Sequence, residues 1–232
     1  MKLPTLTPAH LLRRYKRFLA DCELESGEIV QAHCPNPGSM RSCADAGQPV
    51  LLSWTNDPKR KLPWTWELYW SGASWVTINT QRPNAVVAEA LQEQRIAELA
   101  GYSELRREVA YGEHERVDFW LNDPQLGQAF VEVKSCTLLD DDAVLRFPDA
   151  RSSRALRHLA ALAEERKRGH RAVMLFLLGR EDGCGFAPAD AVDPEYGRAL
   201  RRARDLGIEV LAYRSRVRPD SIEISDAEPL LF

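Results

Sequence analysis

The fold is decided by two strand-like runs, Arg116-Val-Asp-Phe-Trp-Leu121 and Ala129-Phe-Val-Glu-Val-Lys134, and by the polar segment 122–127 between them. Both runs are rich in β-branched and aromatic residues, which favour strands. The segment between them carries the Asn, Asp, Pro and Gly that favour turns. The pattern therefore predicts a β-hairpin. A turn centred on Gln125 pairs residue 118 with residue 132 and residue 120 with residue 130.

Three charged residues interrupt these otherwise apolar strands. Asp118 and Glu132 face each other in the predicted register, and strand alternation adds Lys134 to the same face. Two desolvated carboxylates repel each other unless a cation lies between them. The pattern favours a hard divalent metal bound beside an ammonium group. The alternative is a solvated strand face that carries an ordinary Glu/Lys ion pair.

Such a site suits phosphodiester hydrolysis, because a carboxylate-bound Mg²⁺ keeps water ligands and an ammonium stabilises developing negative charge. An acid followed after a turn by Glu-x-Lys resembles the PD-(D/E)xK nuclease superfamily, which implies a catalytic role for Asp118, Glu132 and Lys134. The expected cofactor is Mg²⁺ or Mn²⁺. Its expected ligands are Asp118, Glu132 and Val133, the residue that follows Glu132.

The flanking segments supply further candidates. A helix over 83–101 is predicted by Pro and Asn at its start and Gly after its end, and Glu89 is the only charge between Ala85 and Leu91. Glu89 is either a fourth catalytic residue or the polar edge of a buried stripe. A second helix, over about 152–169, places Arg154 and His158 one turn apart, where they reach a phosphate or solvent.

The apolar run 171–178 that follows this helix is typical of a central strand buried on both faces. The resulting order of a helix, three strands, a helix and a strand resembles the core of the same nuclease superfamily. Asp193-Pro opens a further helix through Ala203, and residues 208–213 form another strand. We therefore expect an α/β (α+β) second domain over 82–232.

The first 81 residues are expected to form a separate OB-like β-barrel. Short strand-like runs recur around 10–20, 28–34, 48–54, 64–70 and 74–80, with Gly and Pro turns between them. The open face of such barrels commonly binds nucleic acid through cations and rings. The candidates of this kind are Arg13, Arg14, Tyr15, Arg17, Phe18, Lys59, Arg60 and Lys61. Asn36-Pro-Gly-Ser39 predicts a tight turn or, alternatively, a backbone nest for a phosphate.

Charge and composition limit the function classes. A net charge of −3 and a pI near 6.0 argue against a dedicated nucleic-acid binder. The charge is uneven, however, because residues 1–62 carry nine Lys and Arg against six Asp and Glu. No apolar run approaches membrane-spanning length, and the start of the chain has no signal-peptide core, so we expect no membrane association and a cytoplasmic protein. Five cysteines without C-x-x-C spacing indicate neither a disulfide framework nor a zinc site.

Motifs spread over nearly the whole chain resemble the sugar fermentation stimulation protein A family. They are Arg13-Arg-Tyr-Lys-Arg-Phe-Leu-Ala-Asp21, Ala32-His-Cys-Pro-Asn-Pro-Gly-Ser-Met40, Arg60-Lys-Leu-Pro-Trp-Thr-Trp-Glu-Leu68, Ile78-Asn-Thr80, Val131-Glu-Val-Lys-Ser135, Phe147-Pro-Asp-Ala150 and Asp193-Pro-Glu-Tyr196. The resemblance implies a DNA-binding protein with an OB-like domain followed by a nuclease-like domain. Pro37, Glu115 and Ala155 depart from the family pattern.

Three functions are consistent with these observations. The first is a metal-dependent nuclease whose OB-like domain holds DNA. The second is a DNA-binding regulator of sugar (maltose) metabolism genes whose nuclease-like site does not turn over. The third is a binder of a small phosphorylated metabolite, which agrees best with the acidic pI. The oligomeric state is left open by the sequence.

Overall fold

A computed structural model describes residues 1–111 and 115–232 of the chain. The first half forms a barrel from β1 (Leu6–Tyr15), β2 (Leu19–Leu24), β3 (Ile29–His33), β4 (Pro49–Trp54) and β5 (Trp64–Trp70). Neighbouring strands pair antiparallel, and a parallel pairing of β3 with β5 closes the barrel. The short strand β6 (Trp75–Thr77) lies beside β5. Leu11, Leu52 and Trp66 are fully buried in the barrel core.

The expected run over 10–20 is in fact two strands joined by a tight turn. Lys16 and Arg17 both have positive φ angles, 47° and 65°, which reverse the chain between β1 and β2. Neither residue type signals such a turn, because non-glycine residues adopt this conformation only at a steric cost. The predicted strand over 74–80 is shorter than expected and covers only Trp75–Thr77.

The second half is a mixed sheet covered by helices. Its elements, in chain order, are α1 (Pro83–Gln92), a 3₁₀ turn (Ala97–Leu99), β7 (Glu104–Tyr111), β8 (Glu115–Asp123), β9 (Gly127–Cys136), β10 (Leu138–Leu139), β11 (Val144–Phe147), α2 (Ser153–Lys167), β12 (Arg171–Leu178), β13 (Cys184–Pro188), α3 (Pro194–Asp205), β14 (Glu209–Val217) and β15 (Ile222–Ala227). The large sheet has the order β15-β14-β12-β9-β8-β7, and β10, β11 and β13 form a small separate sheet. The fold class predicted from the sequence is confirmed.

The hairpin of β8 and β9 pairs Trp120 with Phe130, as predicted. The last pair next to the site is Phe119 with Val131, so the predicted pair of residues 118 and 132 lies just beyond the ladder. The strand β12 runs parallel to both β9 and β14, and seven of its eight residues are buried, as its apolar run predicted. Two apolar clusters fill the two faces of this sheet. The hairpin is therefore held against a rigid central strand.

The helices start where the sequence predicted, but α1 is shorter than expected. It ends at Gln92 because Gln94 has a positive φ of 57° and the Arg95 N–H donates back to the Ala90 carbonyl. The helix α2 starts after Ser152, whose hydroxyl accepts a hydrogen bond from the Ala155 N–H at 3.1 Å. No helix in the described ranges is long and apolar enough to span a membrane.

Several hydrogen bonds join the barrel to the sheet domain. The Thr77 N–H donates to the Gly179 carbonyl at 2.8 Å. The buried Arg180 guanidinium donates to the carbonyls of Ser42 and Thr137 and pairs with Asp182. These contacts hold the two halves together around the cavity that lies between them. A domain boundary between residues 81 and 82 stays a prediction.

Candidate active site

The pairing of β8 with β9 ends beside a cavity of about 300 Å³ between the barrel and the sheet domain. Its walls come from the 36–38 loop of the barrel, the start of α1, the strands β8 and β9, and the start of α2. Asp118, Glu132 and Lys134 line it together, as the hairpin predicted, and their catalytic roles stay predictions. The other polar residues that line it are Asn36, Thr80, Asn84, Ser135, Thr137, Arg146, Asp149, Ser152 and Arg154.

Asp118 is fixed by two hydrogen bonds. Its Oδ1 accepts from the Asn84 side-chain amide at 2.6 Å, and its Oδ2 accepts from the Val133 backbone N–H at 2.7 Å. The last backbone pair of β8 and β9 next to the site is Phe119 with Val131. The Asp118 carboxylate therefore accepts a hydrogen bond from a backbone N–H that lies beyond this ladder. Burial, and after it the charge of Glu132, raise the pKa of Asp118 to about 6.

Glu132 is almost completely buried, with 2% of its surface exposed. Its Oε1 accepts from the Lys134 ammonium at 2.6 Å and also contacts His158 Nδ1. Its Oε2 is buried and has no hydrogen-bond partner among the described residues. Burial alone would raise the pKa of Glu132, but the hydrogen bonds with His158 and Lys134 outweigh burial and lower it. The side chain is thus held as a carboxylate with one oxygen unused.

The structure corrects the expectation for His158, which was a candidate phosphate contact. It is 2% exposed because α2 packs on the sheet and turns this residue inward. Its Nδ1 contacts Glu132, while its Nε2 lies 3.2 Å from Arg154 Nε and 3.3 Å from Glu115 Oε2. His158 therefore helps to hold the Glu132 side chain in place. Arg154 lines the cavity, as a phosphate contact requires.

Glu89 does not reach the site, contrary to the expectation that it is a fourth catalytic residue. Its carboxylate binds the Met1 ammonium at 2.7 Å and Arg95 at 3.4 Å. The residue of α1 that does reach the site is Asn84. Five residues further along, Glu89 is turned by about 140° around the helix axis, because each residue of an α-helix adds about 100°.

The predicted nucleic-acid segment 13–18 includes the turn between β1 and β2. Arg13 pairs with Asp21 at 2.8 Å and stacks over Tyr15, whose hydroxyl also contacts Asp21. Arg14 donates to the carbonyls of Asn36, Gly38 and Ser39 and so braces the loop that lines the cavity. Arg17 and Phe18 are exposed. A nucleic-acid role for these five residues stays a prediction, but Arg14 also has a structural role.

The second predicted cationic segment is exposed. Lys59 lies on the surface, and Arg60 and Lys61 line a second cavity on the barrel side of the molecule. The only hydrogen bond of the Arg60 side chain within the described residues goes to Thr65 Oγ1 at 2.7 Å. The nucleic-acid role of this segment also stays a prediction.

Sequence reasoning missed Asn84 and Asp149 as site residues. Asp149 accepts a hydrogen bond from the Met40 backbone N–H at 3.2 Å, and a Cβ added at Gly38 would lie 2.0 Å from its Oδ2. This close contact brings the barrel loop against the sheet domain. Both missed residues lie in segments that the sequence had marked as turns or helix starts, at Pro83-Asn and Phe147-Pro-Asp. Those signals predict local structure and not a position in a site.

The donor set at the cavity fits a hard cation that keeps some water ligands. Within residues 1–111 and 115–232, no three His, Cys, Asp or Glu side chains are grouped so as to hold a metal by themselves. Asp118 and Glu132 supply two carboxylates to the cavity. Mg²⁺ usually binds through one or two carboxylates and retains several waters. A closed zinc site needs more protein ligands than this.

Comparison with known families agrees with the two halves of the molecule. Residues 12–78 match the family described as the SfsA N-terminal OB domain. Residues 81–221 match the family described as the sugar fermentation stimulation protein RE domain. The chain belongs to the sugar fermentation stimulation protein family.

Relatives in this family match along the whole chain. The sugar fermentation stimulation protein homolog of Acidithiobacillus ferrooxidans is 69% identical, with 100% of both chains covered. The homolog of Geotalea uraniireducens is 53% identical, with 97% of each covered. The solved structure of Pyrococcus furiosus SfsA in complex with Ca²⁺ matches with a TM-score of 0.89 and 23% identity, covering 100% of this chain and 98% of that one. It shows that the family fold extends over both domains.

Proposed function

We propose that the cavity between the two domains hydrolyses phosphodiester bonds of nucleic acid, most simply DNA, with Mg²⁺ or Mn²⁺ as cofactor. The observation that carries the proposal is the buried Oε2 of Glu132, which has no hydrogen-bond partner among the described residues and belongs to a side chain that lines the same cavity as Asp118 and Lys134. A buried carboxylate oxygen without a partner is costly. A bound cation removes this cost.

The residues that would hold the metal are Asp118, Glu132 and Val133, the last through its carbonyl. When bound, Mg²⁺ or Mn²⁺ supplies a water of lowered pKa and a positive charge close to the phosphate. The Ca²⁺ in the Pyrococcus furiosus relative supports a divalent cation in this family, since Ca²⁺ and Mg²⁺ share a preference for oxygen ligands.

The chain's own groups divide the remaining tasks. Asn84 and the Val133 N–H fix the orientation of Asp118, and His158 holds Glu132. The Lys134 ammonium is a charged donor at the cavity wall, suited to stabilise negative charge that develops on the phosphate. Arg154, at the start of α2, lines the cavity and would bind a non-reacting phosphate oxygen. The barrel supplies the surface along which a strand of DNA approaches.

The test is a hydrolysis assay with labelled single-stranded and double-stranded DNA and RNA, with Mg²⁺ or Mn²⁺ present. Lys134→Ala is expected to lower kcat by about 100- to 1000-fold, the usual effect of removing one transition-state donor. Its affinity for the same polymer is expected to stay near that of the wild type, because many other contacts hold the substrate. Lys167→Ala, which removes a surface lysine paired with Glu164 on α2, is the matched control.

Two outcomes would overturn the proposal. If wild-type protein with either metal cuts none of these polymers but binds DNA, the DNA-binding regulator of sugar metabolism genes becomes the leading function. If it neither cuts nor binds them, a small phosphorylated ligand becomes the leading candidate. In each case a cytoplasmic location, which we also propose, is unaffected.

A further inference from the structure

A second cavity, of about 550 Å³, opens on the barrel side of the molecule. Its walls come from the ends of three barrel strands, from the 60–62 loop and from the segment that leads into α1. The residues that line it are His33, Pro35, Ser53, Arg60, Lys61, Leu62, Thr65, Glu67, Asn79, Gln81 and Arg82. None of the carboxylates proposed to hold metal lies here.

The charge of this cavity is positive. Among the described residues that line it, the one carboxylate is Glu67, which is 1% exposed and binds the Arg82 guanidinium at 2.6 and 2.9 Å. Ser53 and Asn79 also donate to Glu67, at 2.8 and 2.9 Å. Arg60 and Lys61 are exposed and form no ion pair with any carboxylate of the described ranges.

Arg60 and Arg82 differ in the hydrogen bonds that their side chains form. Arg82 is paired in the way that a structural arginine is, with both carboxylate oxygens of a buried glutamate. Among the described residues, the Arg60 side chain donates one hydrogen bond, to Thr65, and Arg60 lines the cavity. A guanidinium fork beside an ammonium matches the oxygens of a phosphate.

The two cavities are neighbours because the same two chain segments line both. Pro35 lines the second cavity and Asn36 the first, while Thr80 lines the first and Gln81 the second. One pair of groups ties these segments together, since the Thr80 hydroxyl donates to the Pro35 carbonyl at 2.6 Å. A strand that left the first cavity across this wall would reach the second.

We propose that the second cavity binds a phosphate that flanks the scissile one, through Arg60 and Lys61, so that the substrate is a polynucleotide strand lying across both cavities. The inference rests on the proposed function and extends it, because it assigns a polymer and not a mononucleotide or a phosphorylated metabolite as the ligand. The first cavity, which holds the proposed metal ligands, performs the reaction. The cationic second cavity supplies the electrostatic attraction for the polynucleotide that the chain as a whole, with its net negative charge, does not supply.

The test is the binding of a fluorescent single-stranded DNA oligonucleotide, long enough to span both cavities, followed by anisotropy without added metal. The variant Arg60→Gln/Lys61→Gln is compared with Arg198→Gln/Arg202→Gln, which removes two exposed arginines of α3 that line neither cavity. Melting temperatures of both variants are measured first, and we expect them to stay close to that of the wild type. Each double variant removes two positive charges, so a difference in binding between them reports the position of the charges and not their number.

We expect the cavity variant to lower the slope of log affinity against log salt by about 0.7, since one lost phosphate contact on a single strand removes roughly that much. At 0.1 M salt this slope change corresponds to roughly a 5-fold loss of affinity. The α3 variant is expected to bind like the wild type. Equal slopes for the two variants would overturn the inference, whether or not the protein hydrolyses DNA.

A second measurement separates the two proposals. With Mn²⁺ present, the hydrolysis of bis(p-nitrophenyl) phosphate, a phosphodiester too small to reach the second cavity, is compared with oligonucleotide cleavage. The cavity variant is expected to raise KM for the oligonucleotide and to leave the small substrate unaffected. Wild-type protein that hydrolyses neither substrate contradicts the proposed function, while the anisotropy result still decides the second cavity. A cavity variant impaired equally on both substrates contradicts the flanking subsite.

Discussion

The carboxylate of Asp118 accepts a hydrogen bond from the backbone N–H of Val133 at 2.7 Å. Asp118 lies one residue, and Val133 two residues, beyond the last pair of the β8–β9 ladder next to the site. The Asp118 side chain thus accepts the hydrogen bond of a strand N–H at the point where pairing between the β8 and β9 backbones ends. The contact ties the orientation of Asp118 to the backbone that carries Glu132 and Lys134. The three charged groups of the site therefore form one rigid unit with the hairpin.

Metal binding is expected to stabilise the fold through Glu132. At roughly 100 times its Kd, a cation that binds only the native state adds about 2.7 kcal/mol. Each kcal/mol is worth about 2–4 °C in a protein of this size, so Mn²⁺ is expected to raise the Tm by roughly 5–10 °C. Glu132→Gln is expected to abolish this rise in a thermal melt.

The control for this prediction is Glu165→Gln, which changes a buried carboxylate of α2 that pairs with Arg168 at 2.6 Å and does not line the cavity. It is expected to keep the full Mn²⁺-dependent rise in Tm. Equal responses of the two variants to Mn²⁺ would show that the cation binds elsewhere.

Asn84, and not Glu89, is expected to matter for activity. Asn84→Ala removes the donor to Asp118 Oδ1, and the loss of such an outer hydrogen bond usually costs about 10- to 100-fold in metal affinity or activity. Within the described residues the Glu89 carboxylate contacts Met1 and Arg95, so the kcat/KM of Glu89→Gln on DNA is expected to stay within about twofold of the wild type. The measurement is the kcat/KM of the two variants assayed side by side. A larger loss of activity in Glu89→Gln than in Asn84→Ala would contradict the prediction and return Glu89 to the site.

The pair of Arg180 and Asp182 predicts a pH dependence of stability. Burial raises the pKa of Asp182, but the hydrogen bonds from Arg180 and Ser71 outweigh burial and lower it to about 2. Because this value lies below that of an unfolded Asp, about 3.9, the stabilisation is present above about pH 4 and is lost as the pH falls through about 2. Its pH-dependent part is about 2 kcal/mol by linkage.

The measurement is the free energy of urea unfolding of the wild type and Asp182→Asn over this range. The difference between the two proteins is expected to be constant above about pH 5 and to shrink by about 2 kcal/mol toward about pH 2. Asp190→Asn, at a surface pair with Arg201, is expected to give a smaller change. A wild-type advantage that did not vary with pH would contradict an ionised Asp182 in the folded state.

Gly38 and Asp149 are expected to be energetically coupled across the domain contact. An alanine Cβ at position 38 would lie 2.0 Å from Asp149 Oδ2, so the carboxylate must move and lose its bond with the Met40 N–H. Gly38→Ala is expected to destabilise the protein by about 1–3 kcal/mol. In an Asp149→Ala background the same change is expected to cost less, with a coupling of roughly 0.5–3 kcal/mol. Additive effects in this double-mutant cycle would argue against the contact.

The sequence by itself determined the elements whose signals are local. Turn residues and strand alternation predicted the β8–β9 hairpin, its register, and the shared face of Asp118, Glu132 and Lys134. An unbroken apolar run predicted β12, and Ser152 marked the start of α2. Each of these depends on residues close together in the chain, because the periods of strands and helices fix which side chains share a face.

Only the tertiary structure decided which distant side chains complete the site. Asn84 and Glu89 lie on one short helix, and the packing of α1 on the sheet determined which of them faces Asp118. His158 became a buried support for Glu132 because α2 packs with that face inward. The barrel loop at Gly38 reaches the sheet domain through Asp149, more than 100 residues away. Contacts of this kind depend on packing between elements, and the periodicity of a single segment carries no information about them.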